Sequence, residues 1–419
     1  MSEATNRSIL VVGGGITGLS AAVEAAESGC SVYIVEKEPY LGGRVARMNK
    51  YFPKLCPPNC GLEINFRRIK TNPRIRFFTM SEVLKISGSP GNYDVTIRIN
   101  PRYVNEKCTA CGKCEEAAET TIPNPFNYGL DRVKAAYLPH DFAFPLRYVI
   151  DPSVVGTEEG ERIRAACPYG AVDLDMKPQE FDLNVSALIW ATGWQPYDAS
   201  KLLYYGFGKY SDVITNIMME RYASPDGPTG GKIVRPSTGE PVQKVAFIQC
   251  AGSRDENHLP YCSGVCCLAS LKQATYVLDQ NPDAGVFIYY IDIRALGRYE
   301  DFFKKVQKDE RVVFIKGKAG EVTLSQSGKP VVQAENQITG EITREEFDLV
   351  VLATGMVPST AESKVPFDVT YDEHGFMLNG NVEAGIIPAG CVKRPVDVAT
   401  CVQDATAAAL KALQMTVRR

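Results

Sequence analysis

The stretch RSILVVGGGITGLSAAVEAAESGCSVYIVEKE, residues 7–38, constrains the fold more than any other feature of this chain. An apolar strand, residues 9–12, runs into a turn through Gly13, Gly14, Gly15 and Gly18. A helix with periodic alanines follows, then a second strand, residues 32–35, that ends at Glu36. Strand, glycine turn, helix and acidic strand end, in that order, are what a dinucleotide-binding βαβ unit needs. Gly13 permits the tight turn, Gly15 lets backbone approach a pyrophosphate, and Gly18 lets the helix close on the strand. The helix start supplies N–H donors and a positive dipole end to the phosphates. Glu36 is placed to accept from a ribose hydroxyl, and Thr17, Lys37 and Val83 join the candidate cofactor contacts.

The bulk composition excludes several classes. In 419 residues there are 46 Lys and Arg against 49 Asp and Glu, a net charge of −3, so no basic footprint for nucleic acid is evident. The apolar runs at 286–293 and 349–355 fall short of a membrane span. The N-terminus lacks the apolar core of a secretory signal, and any membrane contact is expected to come through a partner. Short basic runs at 67–70 and 304–308 read as solvated faces. The unusual figure is 13 cysteines beside three histidines, which points to sulfur-based metal or redox chemistry over a disulfide framework.

After Glu36 comes Leu41-Gly42-Gly43-Arg44, which resembles the element that follows the first unit in FAD-binding relatives of thioredoxin reductase and glutathione reductase. Arg44 offers a cation near the phosphates. The segment 188–194, with Ala191-Thr192-Gly193, resembles the close of the first half of the FAD domain. The segment 349–358 resembles the same turn in a second dinucleotide domain. The C-terminal IPAGCVKRPVDVATCVQDATAAAL resembles the final FAD-binding element of that family. The resemblance places Gly390, Cys391, Gln403 and Asp404 against the cofactor, on a helix expected to begin near Val402. The fold expected is α/β, a two-dinucleotide-binding-domain flavoprotein with an inserted ferredoxin-like domain. The expected parts are 1–100, 177–198 and 359–419 for the FAD domain, 101–176 for the insertion and 199–358 for the second Rossmann-like domain.

Two cysteine quartets stand out. In the second domain, KVAFIQCAGSRDE carries a strand but no glycine fingerprint; Cys250 holds the first glycine position and its side chain points into the space of a pyrophosphate. With Cys262, Cys266 and Cys267 it makes four thiols suited to a [4Fe–4S] cluster or an all-cysteine zinc site. In the insertion, Cys108, Cys111 and Cys114 form a C-x2-C-x2-C run, and Cys167-Pro168 lies much later. In two-cluster ferredoxins each run gives three ligands to one cluster, and the fourth comes from the Cys-Pro of the other half. All four ligands of one cluster remain here, and all four of the other are gone. A zinc ribbon is the alternative. Cys56 and Cys60 read equally as a proline-rich structural turn or as a redox or shared-ligand pair, while Cys30, Cys391 and Cys401 read as small buried hydrophobes.

The spacing Cys250, Cys262, Cys266, Cys267, with FIQCAGSR before and PYCSGVCC after, resembles the unusual cluster motif in the A component of heterodisulfide reductase. That likeness extends over essentially the whole chain. A trimmed pattern, without an extra N-terminal domain or C-terminal ferredoxin domain, resembles the A components of quinone-interacting membrane-bound oxidoreductase (Qmo) complexes. This likeness implies FAD and two [4Fe–4S] clusters in an electron-transfer protein, cytoplasmic and peripheral at the inner face of the cell membrane. The implied partners are a second flavin/iron–sulfur subunit, a haem-bearing membrane subunit, and soluble adenylylsulfate reductase, with electrons passing between it and menaquinol. No residue is expected to act as a general acid or nucleophile. The competing readings are an NAD(P)H-dependent flavin or disulfide reductase and a redox-inert scaffold that binds FAD.

Overall fold

In a computed structural model, which describes residues 7–417, the chain divides into two units. Among the described residues the first comprises 7–194, 358–394 and 398–417, and the second 195–357 and 395–397.

The first unit is built on a five-stranded parallel sheet in the order Ile386–Pro388, Ala187–Trp190, Ser8–Val12, Ser31–Val35, Ile75–Phe78. Both faces are covered, as parallel sheets require, and the alternation along one strand sorts the two cores. Ile9 and Val11 face the helices Ile16–Glu27 and Val398–Val417. Leu10 and Val12 face an antiparallel ribbon of Ser81–Ser89, Asn92–Ile99 and Gln179–Val185. The two helices meet through alanines, among them Ala22, Ala26, Ala405 and Ala409, whose small side chains allow a close approach.

Residues 101–176 leave this sheet as an excursion with a core of its own. It holds the short helix Lys113–Ala117, the helix Glu158–Ala165 and two small antiparallel ribbons. Val104, Ala136, Ile150, Ile163 and Leu174 pack between them. Thr157 caps the second helix, its Oγ1 accepting from the Gly160 N–H at 3.1 Å.

The second unit repeats the plan of the first. Its parallel sheet runs Val213–Thr215, Leu349–Thr354, Lys244–Ala251, Gly285–Tyr290, Val312–Lys316. An antiparallel ribbon, Ala319–Leu324 with Pro330–Asn336 and Glu341–Glu346, covers one face through Val322, Val332 and Ala334. The helix Cys266–Gln280 lies against the sheet strands, with Leu271, Ala274 and Val277 buried.

One position ties this architecture to the glycine pattern. A Cβ on Gly18 would stand 1.8 Å from the Gly13 carbonyl oxygen, so no side chain fits without moving the turn. Gly18→Ala is therefore expected to lower unfolding stability by about 1–3 kcal/mol, the range for overpacking, and to release FAD during gel filtration. A variant that keeps both its denaturation midpoint and its flavin would contradict this packing.

Candidate functional site

The first site is a cradle of backbone. Gly13 lies at φ +107, where a Cβ would stand 2.4 Å from the Ala191 carbonyl oxygen, and its N–H donates to Val35 C=O at 2.8 Å. The Gly42 N–H donates to Gly14 C=O at 2.8 Å, which docks the Gly42–Gly43 turn on the glycine loop. A Cβ on Gly43 would come within 2.8 Å of Gly15 Cα. Gly15 precedes the helix Ile16–Glu27 with no side-chain cap, so the first-turn N–H groups are left for a phosphate. Ala191 is tied to Val12 C=O, and the Thr192–Gly193 turn is held by Ser359, whose Oγ donates to Thr192 Oγ1 at 2.7 Å.

Glu36 is fully buried and its carboxylate faces this loop. Oε2 accepts from the Gly14 N–H at 2.6 Å and Oε1 from the Glu38 N–H at 2.8 Å. Burial pushes the carboxyl up to about 7. The two N–H donors and Lys37 pull the other way, and Glu38 adds to the rise. The remaining lone pairs are available to ribose hydroxyls. The cradle, the uncapped helix start and this carboxylate fit FAD, which when bound supplies a carrier of single or paired electrons.

Other candidates stand at different distances from this cradle. Lys37 is exposed, and Val83 packs against the core that contains Leu10, Val35 and Tyr93. Arg44 does not stand as a free cation: its Nε donates to Trp194 C=O at 2.6 Å, Nη1 donates to Tyr128 Oη at 3.2 Å, and the guanidinium stacks 4.9 Å from the Trp194 ring. The C-terminal helix starts at Val398, earlier than the sequence pattern placed it. Gln403 is exposed. Asp404 Oδ2 accepts from the Gly390 N–H at 2.7 Å and Oδ1 pairs with Lys393, so Asp404 holds the Gly390–Cys391 turn against the helix. A Cβ on Gly390 would meet Thr17 Oγ1 at 2.4 Å, which puts Cys391 one residue from the cradle.

The insertion gathers its quartet. Cys108, Cys111, Cys114 and Cys167 line one pocket with the apolar residues Val104 and Val172. Burial, then the neighbouring Cys108 sulfur, pushes the Cys114 thiol up to about 12. Cys167 behaves oppositely. Burial raises its pKa, but N–H groups of Ala171, Tyr169, Val172 and Gly170 outweigh it and hold the thiol below its ordinary value. The Ala171 N–H lies 3.3 Å from its sulfur, and the Ala110 N–H lies 3.4 Å from that of Cys108. Backbone donors aimed at sulfur suit bound thiolates.

In the second unit Cys266 feels Cys267, Cys250 and Cys262, and this, after burial, drives its pKa upward. The quartet is therefore together. Cys250 sits at φ +55, a glycine-like conformation, at an irregularity in the strand pairing between Ile248 and Ala251. Burial, then Cys267, pushes its thiol up to about 11, and Arg254 counters that rise. Nothing local in the sequence signals Arg254, whose Nη1 donates to Asp292 Oδ1 at 2.6 Å. Cys266 and Cys267 open the helix Cys266–Gln280, whose positive end favours thiolates. The Gly264 N–H lies 3.3 Å from Cys262 Sγ. Among the described residues no three His, Cys, Asp or Glu side chains are grouped as a single metal ion requires.

Cys56 and Cys60 flank the start of the helix Pro58–Thr71, and both lie near Tyr51. Cys60 is exposed. Among the described residues no helix is long and apolar enough to cross a membrane.

Comparison with known proteins agrees with this geometry. Residues 8–51 match the family described as FAD dependent oxidoreductase. Thioredoxin reductases from T. acidophilum (TM-score 0.53, 16% identity, 98% of this chain and 100% of that one) and Lactococcus lactis (0.54, 14%, 98% and 99%) share the fold. The chain thus has the fold of the two-dinucleotide-domain, thioredoxin-reductase-like proteins, with an FAD-dependent oxidoreductase match over its first βαβ unit. Over nearly its whole length it is similar in sequence to the A components of heterodisulfide reductases. It is 40% identical over 98% of its length to that component of the ferredoxin/F(420)H(2)-dependent CoB-CoM heterodisulfide reductase of Methanosarcina acetivorans. To one of the two corresponding iron-sulfur components of the CoB–CoM heterodisulfide reductase of Methanopyrus kandleri it is 39% identical over 97%. It spans 53% and 63% of those relatives' own lengths.

The buried Glu36 yields a pH signature. Folding raises this carboxyl from an ordinary 4.5 to about 7, so between those values the folded chain binds more protons than the unfolded one. Stability of the FAD-depleted protein is expected to fall as pH rises through that window, by roughly 3 kcal/mol from this group, and to level off above it. Urea unfolding at a series of pH values reads the slope, and Glu36→Gln should flatten it. An unchanged slope in the variant would show that other groups set it.

Proposed function

We propose that the chain is an electron-transfer subunit that works by passing electrons between FAD and two [4Fe–4S] clusters, within a larger oxidoreductase complex. The observation that carries this reading is the gathering of two separate cysteine quartets, each furnished with backbone N–H donors or a helix start. Cys108, Cys111, Cys114 and Cys167 would hold one cluster, and Cys250, Cys262, Cys266 and Cys267 the other. Zinc bonds to sulfur are about 2.3 Å, which draws four thiolates into a tight knot, whereas an inorganic cube keeps them farther apart.

FAD and the clusters together supply conversion between paired and single electrons. The protein's own residues contribute binding and tuning. The glycine cradle and Glu36 would hold the dinucleotide; the apolar lining around the first quartet would limit water; N–H groups aimed at Cys167 would ease the burial of its charge. In the second unit the Cys250 side chain takes the place where a nicotinamide dinucleotide would need open backbone, which disfavours hydride delivery there.

The finer reading is a Qmo-type protein. A single quartet in the insertion supports it, together with a loop unsuited to nicotinamide. Its partners would be a second flavin/iron–sulfur subunit with a haem-bearing membrane subunit, and it would carry electrons between menaquinol and adenylylsulfate reductase at the inner face of the membrane. The M. acetivorans relative, whose name specifies a CoB-CoM heterodisulfide, offers the alternative electron partner.

Anaerobic purification followed by metal and flavin assay tests the central claim. Roughly eight irons per FAD are expected, falling to roughly four in Cys114→Ala and in Cys266→Ala. Two equivalents of zinc, or iron content untouched by either substitution, would sink the proposal. NADH added to the same protein should leave the flavin absorbance unchanged over minutes; rapid bleaching would favour a nicotinamide-dependent reductase.

A further inference from the structure

Cys391 and Cys401, read from sequence as small buried hydrophobes, lie with their sulfurs 3.7 Å apart. Both are buried, at 6% and 5% exposure. Cys391 lies in the short turn Gly390–Val392, and Cys401 in the first turn of the helix Val398–Val417. Two elements thus present one sulfur each to a common point. The turn is fastened to the helix beside them, with Asp404 accepting from the Gly390 N–H and pairing with Lys393. Fixed in this way, the sulfurs need only about 1.6 Å of approach to reach the roughly 2.05 Å of an S–S bond. Cys30 makes a contrast: the partner its thiol has is the Thr416 side chain.

The pair also lies beside the cradle that would hold FAD. Gly390 packs against Thr17, at the start of the helix whose glycine loop forms the FAD cradle. We propose that Cys391 and Cys401 are a reversible dithiol/disulfide couple that exchanges an electron pair with the flavin. In the oxidising direction two S–H bonds break and one S–S bond forms. The two electrons and two protons released convert FAD to FADH2; the reverse step returns both thiols. The couple gives the flavin a two-electron store separate from the cysteine quartets. It rests on the FAD cradle and not on iron at either quartet.

Burial keeps outside thiols away, so exchange with the internal acceptor is favoured over scrambling with solvent.

The test uses the full chain, purified anaerobically with its FAD. The protein is oxidised with diamide, quenched in acid, unfolded, alkylated with N-ethylmaleimide and digested with trypsin. The sequence places Cys391 in peptide 365–393 and Cys401 in peptide 394–411, so the disulfide links two separable peptides. The linked pair is expected after oxidation and should vanish after dithiothreitol, and Cys401→Ser and Cys401→Ala should leave Cys391 alkylated. In a dithionite titration the oxidised wild type should take up two more electrons per FAD than either variant. Full alkylation of both cysteines in oxidised wild type would overturn the couple, whatever the variants do. A linked pair with equal electron uptake in wild type and variants would overturn its exchange with the flavin. Preparations lacking FAD are recognised by absorbance, while their peptide map still reads the disulfide.

Discussion

Crowding sulfur in a protein interior is the constraint around which this molecule is organised. Four thiolates brought together repel one another and lose their hydration, and both effects favour the protonated form. The quartets register this directly. Cys114 is raised mainly by burial and then by Cys108, and Cys266 by burial and then by its three companions. A positively charged inorganic core reverses the balance and deprotonates its ligands. The protein meets that requirement part of the way, with a fan of N–H groups around Cys167 in one unit and a helix start with Arg254 in the other. The same logic explains why the two quartets sit in different structural settings, one inside a small apolar excursion and one on the loop of a parallel sheet.

That loop keeps a nucleotide-binding geometry with a cysteine where an ordinary unit has a glycine. The second unit keeps the strand, the turn and the helix of a dinucleotide fold, and keeps a positive φ at the first loop position. The residue at that position differs, and a longer loop carrying Cys262 separates the strand end at Ala251 from the helix start at Cys266. A cysteine at φ +55 carries a conformational cost of order 1–3 kcal/mol for a left-handed non-glycine residue. The surrounding sheet has to hold it there.

Much of this was legible in the chain itself. Gly13, Gly18 and Glu36 are read from spacing because each answers a steric or electrostatic demand that few residues meet. The split of ferredoxin-type cysteines into one complete set and one missing set is likewise a pattern in the linear sequence, and the structure brings that set to a single pocket. What escaped depends on contacts across long separations. Arg44 finds Trp194 150 residues away, so its charge could not be assigned from the Gly-Gly-Arg context. Ser359 supports the Thr192–Gly193 turn from the far side of the second unit's sequence. Cys391 and Cys401 looked like separate packing residues because neither lies in a ligand-like spacing; only the helix start at Val398 brings their sulfurs together.

The most direct measurement is a crystal structure of the anaerobically purified protein with anomalous data collected on both sides of the iron absorption edge. The account predicts two iron-specific peaks, one bonded by the sulfurs of Cys108, Cys111, Cys114 and Cys167 and the other by those of Cys250, Cys262, Cys266 and Cys267. Cystine bonds within either quartet, or density at either site with no iron edge, would contradict it.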